Sequence, residues 1–315
     1  MKISKFIALK LPNCGCNLNC RYCFATSVRA KNSSEGFCAP VPDIVRALAP
    51  EKLGGPCVIN ILCDAEPFCG KHTNELIAGL LEIGHIVVIS TNMTRTDEIN
   101  DLITKCGPNA RHLLFFASLH FNEIVRLGYD AAFFENLRKV REHNASWQMR
   151  LCLAPEYVGI LENIKNRCFL EVGQTPILSR YRSSNSYEEK VDMLYLDSLA
   201  EAEKEPLYEL LKALTDKKRD EYCKAGEISI VIDLSDGTVR PCLAERAVDN
   251  IFSNIPFKAI GYNCSAKWCV CGSQFLPWGM IKDIKVKSYY ETFFRGNEGS
   301  ITDEMRQILS QKIGD

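Results

Sequence analysis

The sequence predicts an α/β protein: a partial (β/α)6 barrel of the TIM type followed by a small C-terminal domain of β-hairpin and helix. Three observations predict it. Strand-like and helix-like stretches alternate six times within about 180 residues, too few for a closed eightfold barrel. Beyond Ser179 the chain turns polar and charged, from the serine-rich 180–187 into a mostly helical 187–222 interrupted by Glu205-Pro206. An alternating stretch then returns at 227–242 around a Ser-Asp-Gly turn, which is a hairpin pattern. The expected organisation is a barrel over 1–180, a helical linker over 181–225, the small domain over 226–280, and a segment over 281–315 that packs back on the barrel.

Each element has its own signal. The first strand is expected in 2–11, closed by Pro12-Asn13. Asp43 opens a helix through Ile44, Leu48 and Leu53. Cys57 to Cys63 is a continuous apolar strand ending in Asp64-Ala65-Glu66-Pro67, and a helix follows from Thr73 to Ile83. Ile86 to Ser90 gives the third strand, ending in Thr91-Asn92-Met93-Thr94, after which Thr96 or Asp97 caps a helix. Leu113 to His120 is the fourth strand, Asp130 to Glu142 an amphipathic helix, Gln148 to Ala154 the fifth strand. Val158 to Arg167 reads as helix, Phe169 to Leu178 as the sixth strand, and Ile301 to Ile313 as a last helix.

Composition narrows the function classes. With 38 basic and 39 acidic residues there is no general electrostatic pull toward nucleic acid or an anionic membrane. Hydrophobic residues at 46% and charged residues at 24% are ordinary for a globular protein. The apolar run Phe6 to Leu9, between Lys5 and Lys10, is too short for a signal peptide, and no run reaches membrane-spanning length. A cytoplasmic protein is expected, in which 16 cysteines point to metal or redox chemistry rather than disulfides.

Cys16, Cys20 and Cys23 stand at C-x3-C-x2-C in one loop directly after the first strand. The spacing lets a short loop offer three thiolates to an iron-sulfur cluster whose fourth iron stays open. Zinc is the alternative, with Cys14 or Cys38 as a fourth ligand, but zinc ribbons draw their ligands from two knuckles. The triplet, with Asn17, Leu18, Tyr22 and Phe24 around it, resembles the loop of the radical S-adenosylmethionine (SAM) enzymes. The resemblance implies a 4Fe-4S cluster on these cysteines, chelated by SAM, which on reduction is cleaved to a 5′-deoxyadenosyl radical. It also implies SAM contacts at Phe24, at Glu66 or Asp64 for the amino group, at Ser90, Thr91 and Asn92, at Ser118, at Arg150 for the carboxylate, and near the adenine at Ile177. Asp64-Ala65 replaces the two glycines usual in the family's Gly-Gly-Glu-Pro turn. His120 is a proton-handling candidate or a structural histidine.

Cys242, Cys264, Cys269 and Cys271 form a second group, one thiolate at the hairpin end and three in a C-x4-C-x-C loop. They resemble the auxiliary-cluster domain called SPASM or, in its shorter form, twitch, which implies a second 4Fe-4S cluster; a C4 zinc site uses the same donors. Of the remaining cysteines most read as small buried side chains, with Cys63, Cys69 or Cys38 as candidates to return a hydrogen atom to a substrate radical. The function implied is hydrogen abstraction from a peptide or protein side chain, with flavodoxin or ferredoxin as electron donor. The barrel pattern begins at the N-terminus, leaving no expected leader-peptide-binding domain before it, which counts against a peptide. The alternatives are a small-molecule dehydrogenase or epimerase acting on a sugar or aminocyclitol, and a non-enzymatic zinc-bound interaction protein.

Overall fold

A computed structural model describes residues 1–23, 25, 36–181, 196–197, 204–214, 218, 220–262, 264–266, 269, 272–281, 284, 286–294 and 298–314. Six apolar strands form its centre: β1 (Lys5–Lys10), β2 (Cys57–Leu62), β3 (Ile86–Thr91), β4 (Leu113–Ser118), β5 (Ser146–Cys152) and β6 (Ile177–Ser179). They lie in the order β6-β5-β4-β3-β2-β1, every pair parallel, as a partial barrel requires. All six carboxyl ends therefore reach the same edge, where ligands of such sheets collect.

The sheet does not stop at β1. β7 (Ser229–Asp233) pairs parallel with it, and β8 (Thr238–Arg240) and β9 (Asp249–Asn250) continue antiparallel. The hairpin read at 227–242 thus donates its first strand to the barrel sheet, covering backbone groups of β1 that would otherwise form an open edge.

Successive side chains of each strand face opposite ways, and the two faces meet different partners. Ile7, Leu9, Ile59, Ile61, Ile89 and Phe115 point outward into a core shared with α1 (Val41–Ala47), α2 (Pro50–Leu53), α3 (Thr73–Glu82), α4 (Thr96–Cys106), α5 (Phe121–Arg126), α6 (Asp130–Glu142) and α7 (Leu161–Val172). Phe6, Ala8, Val58, Val88, Leu114 and Phe116 point inward, and the C-terminal part of the chain packs on them through Phe275, Trp278, Tyr289, Phe293, Met305 and Leu309. These come from α9 (Gly272–Phe275) and the turn after it, α10 (Tyr289–Phe293) and α11 (Asp303–Leu309), α8 being Pro206–Leu214. Ser288 and Glu291 close a reciprocal capping box on α10, and the Thr302 hydroxyl caps α11. The inner face is thus plugged from one end, leaving the carboxyl ends of the strands open.

Several expected boundaries shift: the fifth strand is Ser146–Cys152, the last helix only Asp303–Leu309, and three further shifts have a clear cause. The helix expected to end at Arg167 runs on to Val172, where Gly173 at φ 71° terminates it, so the sixth strand is only Ile177–Ser179. Phe169 and Leu170, read as strand, are helical and 60% and 82% exposed. Pro50 starts a new helix rather than continuing the one through Ile44. Among the described residues no helix is long and apolar enough to cross a membrane.

Candidate active site

After β1 the chain leaves the sheet at Pro12 and carries Cys16, Cys20 and Cys23 across the strand ends. Gly15, at φ 83°, turns the backbone where a side chain would be strained, and its carbonyl accepts from the Glu66 N–H at 2.9 Å. Asn17 donates to Thr94 Oγ1 at 2.8 Å and accepts from Asn92 Nδ2 at 2.9 Å. The Asn19 N–H donates to Glu123 Oε1 at 2.9 Å, a carboxylate that Arg126 also holds. The Tyr22 hydroxyl lies 2.8 Å from His120 Nδ1 and 3.0 Å from the Tyr157 hydroxyl. Five strand ends or helices thus brace one loop.

The three cysteines line one cavity of about 550 Å³. Burial, then the neighbouring Cys23, Glu123 and Cys16, holds the Cys20 thiol well above its ordinary pKa, so its anion is unfavourable until a cation accompanies it. The Leu18 N–H donates to Cys16 Sγ at 3.5 Å, a bond that suits a metal-bound thiolate. Three thiolates from one loop, each able to meet a different iron, are a donor set that a cubane cluster takes. Phe24 lies outside the described residues.

The strand ends around this loop behave unequally. Glu66 is buried and accepts from the Thr91 hydroxyl at 2.8 Å, the Asn92 N–H at 2.8 Å and the Phe68 N–H at 3.2 Å. Burial outweighs these three donors and raises its carboxyl to about 7. Glu66, Thr91 and Asn92 are therefore engaged in joining the Asp64–Pro67 turn to β3. Asp64 is more open and pairs with Lys10 at 3.6 Å, which also lies 3.5 Å from Asp233. Ser90 and Ser118 line the cavity. Arg150 lines it too, its Nε donating to Gln148 at 2.6 Å and its plane lying 3.3 Å from the Phe116 ring centre and 4.4 Å from that of Phe293. Among the described residues its buried Nη2 has no hydrogen-bond partner within normal geometry, and burial, against the neighbouring Tyr289 hydroxyl, lowers the guanidinium to about 10. Ile177 is in the inner core beneath the cavity rather than on its wall. His120 lines the wall and is held neutral, burial lowering it to about 4.

Sequence reasoning passed over Lys10, Asn60, Cys152 and Gln274, which also line the cavity. For Lys10, Asn60 and Cys152 the signal was position, each an inward-facing residue of a strand; Gln274 comes from α9 and carried no such signal. Sequence reasoning also passed over a thiol pair, Cys14 and Cys63, whose sulfurs are 3.6 Å apart beside the cluster loop.

The second group is assembled from separate segments. Cys242 is buried after β8, Cys264 and Cys269 are half-buried, and Cys271 lies outside the described residues. Cys223 joins them. Burial, then the charge of Cys264 and Cys242 beside it, raises its thiol to about 11 against an opposing hydrogen bond at Ala225. Antiparallel bridges to Gly261 and Ile281 place it there. In the sequence it stands before the hairpin that ends in Cys242, and pairing of the hairpin's two flanks returns both to one place. No described cysteine forms a disulfide.

Comparison with known proteins follows this geometry. Residues 11–156 match the family model described as Radical SAM superfamily. No curated protein matches the chain. Among solved structures it is similar to Streptococcus suis SuiB bound to S-adenosylmethionine, with TM-score 0.54 and 17% identity over 79% of this chain and 64% of that one. It is similar to SuiB bound to precursor peptide SuiA, with TM-score 0.53 and 14% identity over 82% and 64% of the two chains. It is also similar to anSMEcpe with bound AdoMet and Kp18Cys peptide, with TM-score 0.50 and 14% identity over 78% of each chain. The chain thus spans 64% of the length of SuiB. These likenesses concern the fold, and the family match covers the cysteine loop with the strand ends that brace it: residues 11–156 are a radical SAM domain.

Proposed function

We propose that this enzyme takes a hydrogen atom from a side chain of a peptide or protein, as a maturase does. The observation that carries the proposal is the shape of the cavity: three cluster cysteines and the polar strand ends share one chamber, and Leu207, Leu211 and Leu243 line it as well, giving apolar surface to a substrate larger than its reacting carbon. The peptide-bound SuiB and anSMEcpe structures support that choice of substrate class.

The cluster and SAM, when bound, supply the 5′-deoxyadenosyl radical; the chain's own residues position and protect. Cys16, Cys20 and Cys23 hold the cluster. The unpartnered Nη2 of Arg150 is the donor for the SAM carboxylate. Asp64 takes the SAM ammonium, because Glu66 already serves three donors while Asp64 is only in a long pair with Lys10. Ser90 and Ser118 face the nucleoside. Cys223, Cys242, Cys264 and one thiolate of the 269–271 loop hold a second 4Fe-4S cluster, and flavodoxin or ferredoxin brings the electrons.

The test is substrate-dependent stimulation. Peptides encoded beside the gene are incubated anaerobically with reconstituted enzyme, SAM and reductant. A peptide mass change matched by 5′-deoxyadenosine is expected. Stimulation by sugars or aminocyclitols and by no peptide overturns the proposal.

A further inference from the structure

One polar side chain in the wall of this chamber has no work inside the protein. Asn60 stands in the middle of β2, fully buried, and neither its amide nitrogen nor its amide oxygen has a hydrogen-bond partner among the described residues. An unpaired buried amide is costly at both ends, so a purely structural position would have been filled by an aliphatic residue of the same shape. Its register neighbours are Ala8 on β1 and Val88 on β3, neither of which offers a polar atom from its side chain. It faces inward and lines the same cavity as the cluster cysteines.

The groups around Asn60 are largely committed elsewhere. Lys10 lies between Asp64 and Asp233, at 3.6 and 3.5 Å. Gln274 accepts from the Tyr289 hydroxyl at 3.0 Å. Arg150, on β5 three strands along the sheet from β2, has its Nη2 assigned above to the SAM carboxylate. What Asn60 itself offers there is an NH2 donor and a C=O acceptor held in a single plane.

We propose that Asn60 is a substrate-recognition residue that pairs with a primary carboxamide, so that the peptide substrate presents an asparagine or glutamine side chain to the lumen. This rests on the peptide reading above. A carboxylate would satisfy the nitrogen and repel the oxygen, and an ammonium would do the reverse. An aliphatic group leaves both unpaired. A trans peptide bond carries its N–H and C=O on opposite edges and meets Asn60 at one point only. A primary carboxamide carries both on one edge and closes two parallel hydrogen bonds.

The experiment enriches a randomised synthetic nonapeptide library, acetylated and closed with dimethylamide so that no terminal carboxamide competes. It is run on the immobilised full chain, anaerobically reconstituted and loaded with SAM. Wild type is expected to enrich asparagine or glutamine at one position by at least about tenfold, the loss expected when a buried hydrogen-bonding pair goes unmade. Asn60→Leu and Asn60→Asp are both expected to lose that preference while keeping the iron content and melting cooperatively; the second variant keeps the side chain's shape should the first fail to fold. Enrichment without a carboxamide preference, or a preference that survives in both variants, overturns the proposal and leaves the peptide reading standing. No enrichment at all counts against the peptide reading, and benzamide and benzoate then decide for Asn60. Saturable benzamide binding that both variants lose and benzoate does not reproduce sustains the subsite; its absence overturns it.

Discussion

The two cysteine sites are built in opposite ways. Cys16, Cys20 and Cys23 belong to one loop of eight residues, and the braces on it and on Gly15 just before it are hydrogen bonds from several strand ends and a helix, through Glu66, Asn92, Thr94, Glu123, His120 and Tyr157. Cys223, Cys242 and Cys264 arrive from three distant segments, held by a hairpin and two single bridges. The first site therefore needs only its loop to be local and its surroundings to be rigid, whereas the second depends on which strands pair. Under the proposed function, that difference would separate a site that reacts from one held at a fixed distance from it.

The sharpest way to break this comparison is to remove one thiolate from each site. Replacing any of Cys16, Cys20 and Cys23 by alanine is expected to abolish SAM cleavage, while Cys242→Ala keeps uncoupled cleavage and loses turnover. Iron and acid-labile sulfide should fall from about eight to about four per chain in either case, as two four-iron clusters require. Equal loss of cleavage from both sites would make the second purely structural. Next in size is Cys223→Ala, expected to lose the same iron as Cys242→Ala. Cys168→Ala, a buried thiol of α7, keeps all its iron and costs about 1 kcal/mol in denaturant unfolding.

How far the sequence reached follows from the same contrast. The triplet and the alternation of strands and helices were legible because spacing and periodicity are local properties, while Glu66, Asn92 and Arg150 were named only through the resemblance, and the fold brings them beside the loop or its cavity. Cys223 was not, since only the pairing of the segments around the hairpin brings it to Cys242 and Cys264. The parallel docking of β7 on β1 was equally hidden: an alternating strand before a Ser-Asp-Gly turn looks the same whether its other edge is free or paired. Phe169 and Leu170 misled because exposed apolar residues at a helix end mimic a strand until Gly173 is recognised as the cap. Glu66 was found, but its three donors inside the protein give it a bracing role that only the fold reveals.

Smaller perturbations sharpen the account of the braced loop. The Glu66 carboxyl is raised from 4.5 to about 7, so the folded protein keeps this proton over a range in which the unfolded chain releases it. Stability should therefore fall as pH rises from about 4.5 to about 7, by about 3 kcal/mol in all, and Glu66→Gln should remove that slope from urea titrations. His120 works in the other sense: lowered from 6.5 to about 4, it costs stability as pH falls through that interval. Arg150→Ala should weaken SAM binding about tenfold to a hundredfold by equilibrium dialysis, the size of a charged hydrogen bond. Glu123→Gln, which weakens the Asn19 brace and gives up the exposed ion pair with Arg126, should cost about 1 kcal/mol or less and leave SAM affinity within a few fold.

The most direct measurement is 5′-deoxyadenosine formed from SAM and a one-electron reductant by the anaerobically reconstituted full chain, side by side with its Cys16→Ala and Cys242→Ala variants. The reactive and the held site predict product from wild type and from Cys242→Ala, and none from Cys16→Ala. No product from the wild type, with iron and sulfide present at both sites, would contradict the account.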